Sequence, residues 1–146
     1  MLRHKIKLKT GTKIENAIIE AHLDSLTFIR ENGFRKTYSD HDQFFCLAQI
    51  RKEFPEIKFL CKGSKLNVFP SRMCSQMSNG SVAYEMTLGQ SASFEDIVRT
   101  FDYEDENIVK DISEQIAFFD LWRNDFIGKQ KKSAELKDDA VKDHKI

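Results

Sequence analysis

The residues best suited to metal or nucleophile chemistry are three cysteines and four histidines, and their spacing supports neither. His4, His22, His41 and His144 stand apart, with no two at the i, i+4 separation that puts a pair of imidazoles on one helix face. Cys46, Cys61 and Cys74 have 14 and 12 residues between them and form no C-x-x-C pair, so no zinc site is expected. A Cys–His hydrolase needs a thiolate beside an exposed imidazole. Cys61 instead alternates with Ile57 and Phe59 and reads as an inert core thiol. There is no G-x-S-x-G elbow and no dinucleotide fingerprint. Glu95 and Asp96, adjacent in sequence, point apart on a helix and suit its N-terminal dipole better than a catalytic pair. No catalytic residue is assigned, and no cofactor or metal is expected. A hydrolase whose site forms only in three dimensions stays open.

Two charged stretches carry the functional alternatives. Lys62-Gly63-Ser64-Lys65 could hold a phosphate, because glycine lets backbone N–H groups approach and the lysines add positive charge. Both flanks look like strands, however, whereas a P-loop joins a strand to a helix. With Arg72, Lys62 and Lys65 make a candidate RNA- or nucleotide-binding patch, although no RNP motif or recognition-helix signature accompanies them. The second stretch is the acidic loop Phe101 to Asn107, FDYEDEN, in which Asp102, Glu104, Asp105 and Glu106 surround Tyr103. Clustered carboxylates steer a basic partner and an exposed tyrosine anchors it at low entropic cost, so Asp102, Tyr103, Glu104, Asp105 and Glu106 form a candidate protein-binding surface. The plainer alternative is a solvated connection.

The elements that must position these residues follow from patterning. At 146 residues the chain is long enough for one domain with its own core, and twelve phenylalanines supply much of it. The 23 basic and 23 acidic residues cancel, so no net field draws the protein to nucleic acid or membrane. Charge is nonetheless segregated: five basic residues and no acid precede Ile14, while ten acids face three bases from Phe94 to Asp125. His4 to Thr10 alternates as a short strand whose lysines suit an edge. The stripe Ile19, Leu23, Leu26, Ile29 steps at helical spacing and predicts a helix from about Asn16 to Asn32, with Gly33 as its C′ residue and Lys13 to Ala17 allowed to be extended. Gly33 to Asp40 reads as a loop. Asp40 with Gln43 opens a second helix, which buries Phe44, Leu47, Ile50 and Phe54 and stops at Pro55.

Ile57 to Phe69 then reads as a hairpin turning at Lys62 to Lys65, sharing a sheet with a strand over Ser81 to Leu88. One helical turn is allowed within Ser71 to Gly80. A short helix is expected from Ser93, burying Phe94, Ile97, Val98 and Phe101. A last helix runs from about Asp111 to Ile127 and buries Ile112, Ile116, Phe119, Trp122 and Phe126. The whole predicts an α/β (α+β) domain over residues 1–128, with a mostly antiparallel sheet of three to five strands under about four helices and a charged tail at 129–146. No signal peptide or 18-residue apolar run is found, which predicts a cytoplasmic protein without membrane association.

The phrases ENAIIEAHLDSLTFIRENGF, FFCLAQIRKEF and IKFLCKGSKLNVFPSRMCSQMSNGSVAYEMTLGQ, spanning about Glu15 to Phe101, resemble small bacterial immunity proteins of polymorphic toxin systems such as contact-dependent inhibition. The resemblance implies a cytosolic, non-enzymatic protein that binds a cognate toxin domain, possible targets including a nuclease, and neutralises it. Such families vary their binding residues from pair to pair, so no site transfers by position. A cognate toxin is therefore the expected partner, nucleic acid is the alternative, and the oligomeric state is left open.

Overall fold

The computed structural model describes the backbone of residues 1–137 and the side chains of residues 1–125. Its fold is mixed α+β, with two antiparallel sheets and three α-helices among the described residues. β1 (Leu2–Thr10) and β2 (Lys13–Ala21) pair over their full length around a turn in which Gly11 takes a φ of 61°. With β3 (Ser25–Arg30), β4 (Arg35–Ser39) and β5 (Lys58–Leu60) they make a five-stranded sheet in the order β4-β3-β2-β1-β5. β6 (Val68–Phe69), β7 (Val82–Glu85) and β8 (Ile97–Arg99) form a second sheet in the order β6-β7-β8. The helices are α1 (Gln43–Glu53), α2 (Arg72–Ser78) and α3 (Ile112–Lys137).

The first expected helix is instead the hairpin β2–β3. Helical spacing made Leu23 part of a buried stripe, yet Leu23 is 71 % exposed in the turn, where the His22 N–H donates to the Ser25 carbonyl at 2.9 Å. Two period-2 patterns, Ala17, Ile19, Ala21 and then Leu26, Phe28, line the core. Broken by a turn, they imitate a 3.6-residue repeat, and the β-branched Ile14, Ile18, Ile19, Thr27 and Ile29 tip the balance to strand. Gly33 is not a helix cap: its φ of 93° lets the chain reverse between β3 and β4. The expected Gly33–Asp40 loop thus holds a strand. β1 is not an edge either. It lies between β2 and β5, and its lysines project from the sheet face.

Ile57 to Phe69 does not close as a hairpin. β5 pairs with β1 in the large sheet, the Lys62–Ser64 turn is a 3₁₀ helix, and β6 pairs with β7 in the small one. β7 falls where a strand is expected, but it is Ala83, between Val82 and Tyr84, that is fully buried, and Leu88 is 46 % exposed. The Ser93–Asp96 capping box forms around only one 3₁₀ turn, Phe94 is 84 % exposed, and the chain goes on as β8. α1 starts two residues later than the Asp40–Gln43 pair suggests, because Asp42 is the cap and accepts from the Phe45 N–H at 2.9 Å. α2 and α3 lie where helices are expected. α3 runs on to Lys137, taking in part of the expected tail, and residues 138–146 lie outside the described residues.

Two apolar clusters result. The larger packs Ile6, Leu8, Ile19, Leu26 and Phe28 of the large sheet against Leu47 and Ile50 of α1, with Phe28 touching the rings of Phe34, Phe54 and Phe59. The smaller joins Val68 and Ala83 of the small sheet to Phe44 of α1, with Phe45, Phe69 and Ile112 against them. α1 serves both, so its placement ties the two sheets together.

Replacing Leu23 separates this topology from a helical one. Leu23→Ala should leave the denaturant midpoint within about 0.5 kcal/mol of the parent, as expected of an exposed site, while Phe28→Ala should cost about 3–5 kcal/mol. A large loss for Leu23→Ala would contradict the β2–β3 hairpin.

Candidate functional site

The chain crosses from the large sheet to the small one between Cys61 and Val68, and the acidic loop runs alongside. Cys61 bridges Tyr103 and Lys65 bridges Ile108 as isolated antiparallel contacts. Five successive N–H groups are all committed: Lys62 donates to Asp102 O at 2.8 Å, Gly63 to Thr100 O at 2.8 Å, Ser64 to Cys61 O at 3.0 Å, Lys65 to Lys62 O at 3.0 Å and Leu66 to Asn107 O at 2.9 Å. A phosphate cradle needs such groups free. Gly63 is required here for space rather than for ligand access, since a Cβ would lie 2.6 Å from Thr100 Cγ2 and 2.7 Å from Leu47 Cδ2.

The lysines of this turn are committed as well. Lys62 Nζ donates to Glu85 Oε1 and to Glu104 Oε1, both at 2.9 Å, while Lys65 Nζ donates to Glu85 Oε2 at 2.9 Å and to Glu104 Oε1 at 2.8 Å. Two cations and two carboxylates thus close a ring, in which Lys65 and Glu104 each keep only 11 % of their side-chain surface exposed. Burial alone would push Glu104 up, but the hydrogen bonds from Lys65, Lys62 and the Glu106 N–H outweigh it and pull its pKa down to about 2. In the same way the bonds to Glu85 and Glu104 overcome burial and raise both lysines. Lys62 and Lys65, candidates for binding nucleic acid, and Glu104, a candidate for binding protein, are therefore parts of one neutral cluster. Arg72 is not brought to it and sits exposed on the first turn of α2.

The rest of the acidic loop faces outward. Glu104 Oε2 accepts the N–H groups of Asp105 at 3.1 Å and Glu106 at 3.0 Å, which fixes the backbone around the ring. Asp102, Asp105 and Glu106 are exposed, and Tyr103 is 55 % exposed with its hydroxyl donating to Asp105 Oδ2 at 3.2 Å. One loop residue is spent on anchoring and four are presented.

Beneath the ring lies a feature that sequence reasoning missed. Arg51 is 2 % exposed. Its Nη1 donates to Gln115 Oε1 at 2.8 Å and to Gly63 O at 3.4 Å, and its Nη2 to Val109 O at 2.8 Å. Gln115, fully buried, donates from Nε2 to Gly63 O, Lys65 O and Val68 O at 3.0, 2.9 and 3.2 Å. Burial lowers the Arg51 pKa to about 10, still protonated at neutral pH. A signal was present: Phe44, Leu47 and Arg51 stand at i, i+3 and i+7, so Arg51 shares the buried stripe of α1. Gln115 likewise stands three residues after Ile112.

All three thiols are buried, and those of Cys46 and Cys61 are poor nucleophiles. Burial raises the Cys46 pKa to about 12 and also raises that of Cys61, whose sulfur faces Ser64 Oγ at 3.7 Å. His41 lies against Phe45 and Asp40, and His4 against Phe101. Among the described residues no group of three or more His, Cys, Asp or Glu side chains could hold a metal ion, and no helix is long and apolar enough to cross a membrane. A hollow of about 480 Å³ between β4 and α1 has neither thiol nor imidazole in its lining, and its Lys36 and Tyr38 both donate to Glu53. No protein-family model and no curated protein matches the chain.

The ring makes a pH prediction. Glu104 titrates lower in the folded protein than its ordinary value of 4.5, so it stabilises the fold fully above pH 4.5, and that contribution disappears as pH falls through about 2. Glu104→Gln should cost about 1.5–3 kcal/mol in urea unfolding at pH 7, with the gap to the parent closing toward pH 2. A gap that stays constant with pH would mean that the ring does not hold the loop.

Proposed function

We propose that this protein is a non-enzymatic binding domain that neutralises a basic toxin domain in the cytoplasm, with the acidic loop as its contact. The single observation that carries the proposal is the anchoring of Glu104. Because that carboxylate is tied to Lys62 and Lys65 and to the backbone of Asp105 and Glu106, the loop is ordered before any partner arrives. Ordering a loop at the moment of binding costs affinity, and a preorganised one avoids that cost. Asp102, Asp105 and Glu106 then supply a local negative field, and Tyr103 supplies a rigid amphipathic anchor. The immunity-protein resemblance of the sequence supports the choice of a toxin as partner. An RNA- or nucleotide-binding role for the Lys62–Lys65 turn has less support, because each lysine there already holds two carboxylates and no N–H of the turn is free.

The substitutions Asp102→Lys, Asp105→Lys and Glu106→Lys test the proposal while leaving Glu104 and the ring intact. Measured by stopped-flow against the basic toxin domain that the protein is proposed to neutralise, the triple variant should associate at least about tenfold more slowly and lose most of its salt dependence. An unchanged rate and salt slope would remove the loop from the interface, and absence of any complex with the parent protein would remove the function.

A further inference from the structure

The solvent side of the large sheet bears a charge pattern that neither the fold nor the acidic loop uses. Strand alternation puts Arg3, Lys5, Lys7 and Lys9 of β1 on the face away from the core, and register sets Lys58 of β5 beside Lys9 and Arg35 of β4 beside Ile29. All six cations are exposed. The carboxylates on this face are Glu20, shared by Arg3 at 3.7 Å and Arg35 at 3.2 Å, and Glu31, which accepts the Asn16 N–H at 3.2 Å. Lys7 donates to Asn16 Oδ1 at 3.1 Å, and Lys5, Lys9 and Lys58 make no ion pair among the described residues. On the opposite face of the same sheet Arg30 pairs with Glu15 at 2.7 Å and Lys36 with Glu53 at 2.9 Å. Lys9 and Lys58 stand directly opposite one another, and like charges in that position destabilise a sheet. A feature that weakens the fold calls for a reason outside it.

One row across the middle of the face is apolar, with Asn16 on one side of it and Glu20 and Thr27 on the other. Lys5, Ile18, Ile29 and Arg35 form one cross-strand row, with isoleucines at the centre and a cation at each end. Ile18 and Ile29 are half-buried, and Ile14 is 47 % exposed. No aromatic side chain lies in this face, so bases have nothing to stack on. An apolar centre within a charged rim is how protein interfaces are built, and a phosphate backbone would gain nothing from isoleucine.

We infer that the open face of the five-stranded sheet is a second docking surface, for a protein whose contact patch is apolar at its centre and ringed by Asp and Glu. Its residues and the charge of its partner differ from those of the acidic loop, so it stands independently of that proposal.

Fluorescence anisotropy on the full chain tests this with two labelled probes of equal charge. One is a helical peptide with leucine on one face and glutamate on the other, and the second is a duplex DNA. The peptide should bind more tightly than the DNA at physiological salt. Lys5→Glu, Lys7→Glu and Lys9→Glu together should weaken peptide binding at least about tenfold. Ile18→Ser should weaken the peptide about tenfold and leave the DNA unaffected. Asp105→Lys with Glu106→Lys should not weaken the peptide, which separates this surface from the loop. If the triple reversal unfolds the protein, Lys5→Gln, Lys9→Gln and Lys58→Gln remove only unpaired charges and should still cost the peptide about threefold. Tighter binding of DNA than of peptide by the parent, or peptide affinity that survives loss of these lysines, would overturn the inference.

Discussion

The fold depends on a buried cation that has no buried anion. Arg51 reaches inward from α1 and is met by the side-chain oxygen of Gln115 and the carbonyls of Gly63 and Val109. Removing a guanidinium from water is costly unless its donors are satisfied; here neutral oxygens take both Nη groups, while Nε has no partner. The arrangement earns its place through geometry. Arg51 draws on the helix that touches both apolar clusters, and Gln115 clamps the carbonyls of the strand that passes between them. Neither cluster continues directly into the other, so this polar node works where apolar packing does not reach.

The same node explains why the Lys62–Lys65 turn has nothing to offer a phosphate. Its carbonyls are held from below by Arg51 and Gln115, its N–H groups by the carbonyls of Thr100, Asp102 and Asn107 and by the 3₁₀ turn itself, and its ammonium groups by Glu85 and Glu104. What remains for contact lies elsewhere: the outward part of the acidic loop, which the ring steadies, and the lysine-rich face of the large sheet, which the core leaves uncovered. A chain with zero net charge can therefore present two oppositely charged surfaces.

Much of this was legible in the residues. The α+β class, α1 with its stop before Pro55, the helical turn near Arg72, a strand near Val82 and the start of α3 all follow from caps, breakers and alternation. The β2–β3 hairpin did not, because apolar residues on two strands joined by a three-residue turn fall into helical spacing by coincidence; Leu23, exposed in that turn, is the residue that misled. The Lys62–Lys65 turn resembled a hairpin tip because local pattern cannot say which sheet each flank joins. The ion ring unites Lys62, Lys65, Glu85 and Glu104, which lie up to about forty positions apart. No local pattern encodes such a contact. Arg51 and Gln115 were within reach, since both fall on apolar helix stripes where a polar residue asks for a buried partner.

The claim that this node couples the two sheets has a direct test in unfolding followed by two probes. Trp122, the single tryptophan, packs near Phe119 and donates to Gln90 O, so its fluorescence reports α3 beside the small sheet, while the NMR amide signals of β1 to β3 report the large one. Both signals should share one urea midpoint in the parent. In Gln115→Leu, which removes the shortest bond of Arg51 Nη1 and the Nε2 donor to the carbonyls of Gly63, Lys65 and Val68, fluorescence should change at clearly lower urea than the amide signals. Coincident transitions at the parent midpoint in that variant would contradict the account.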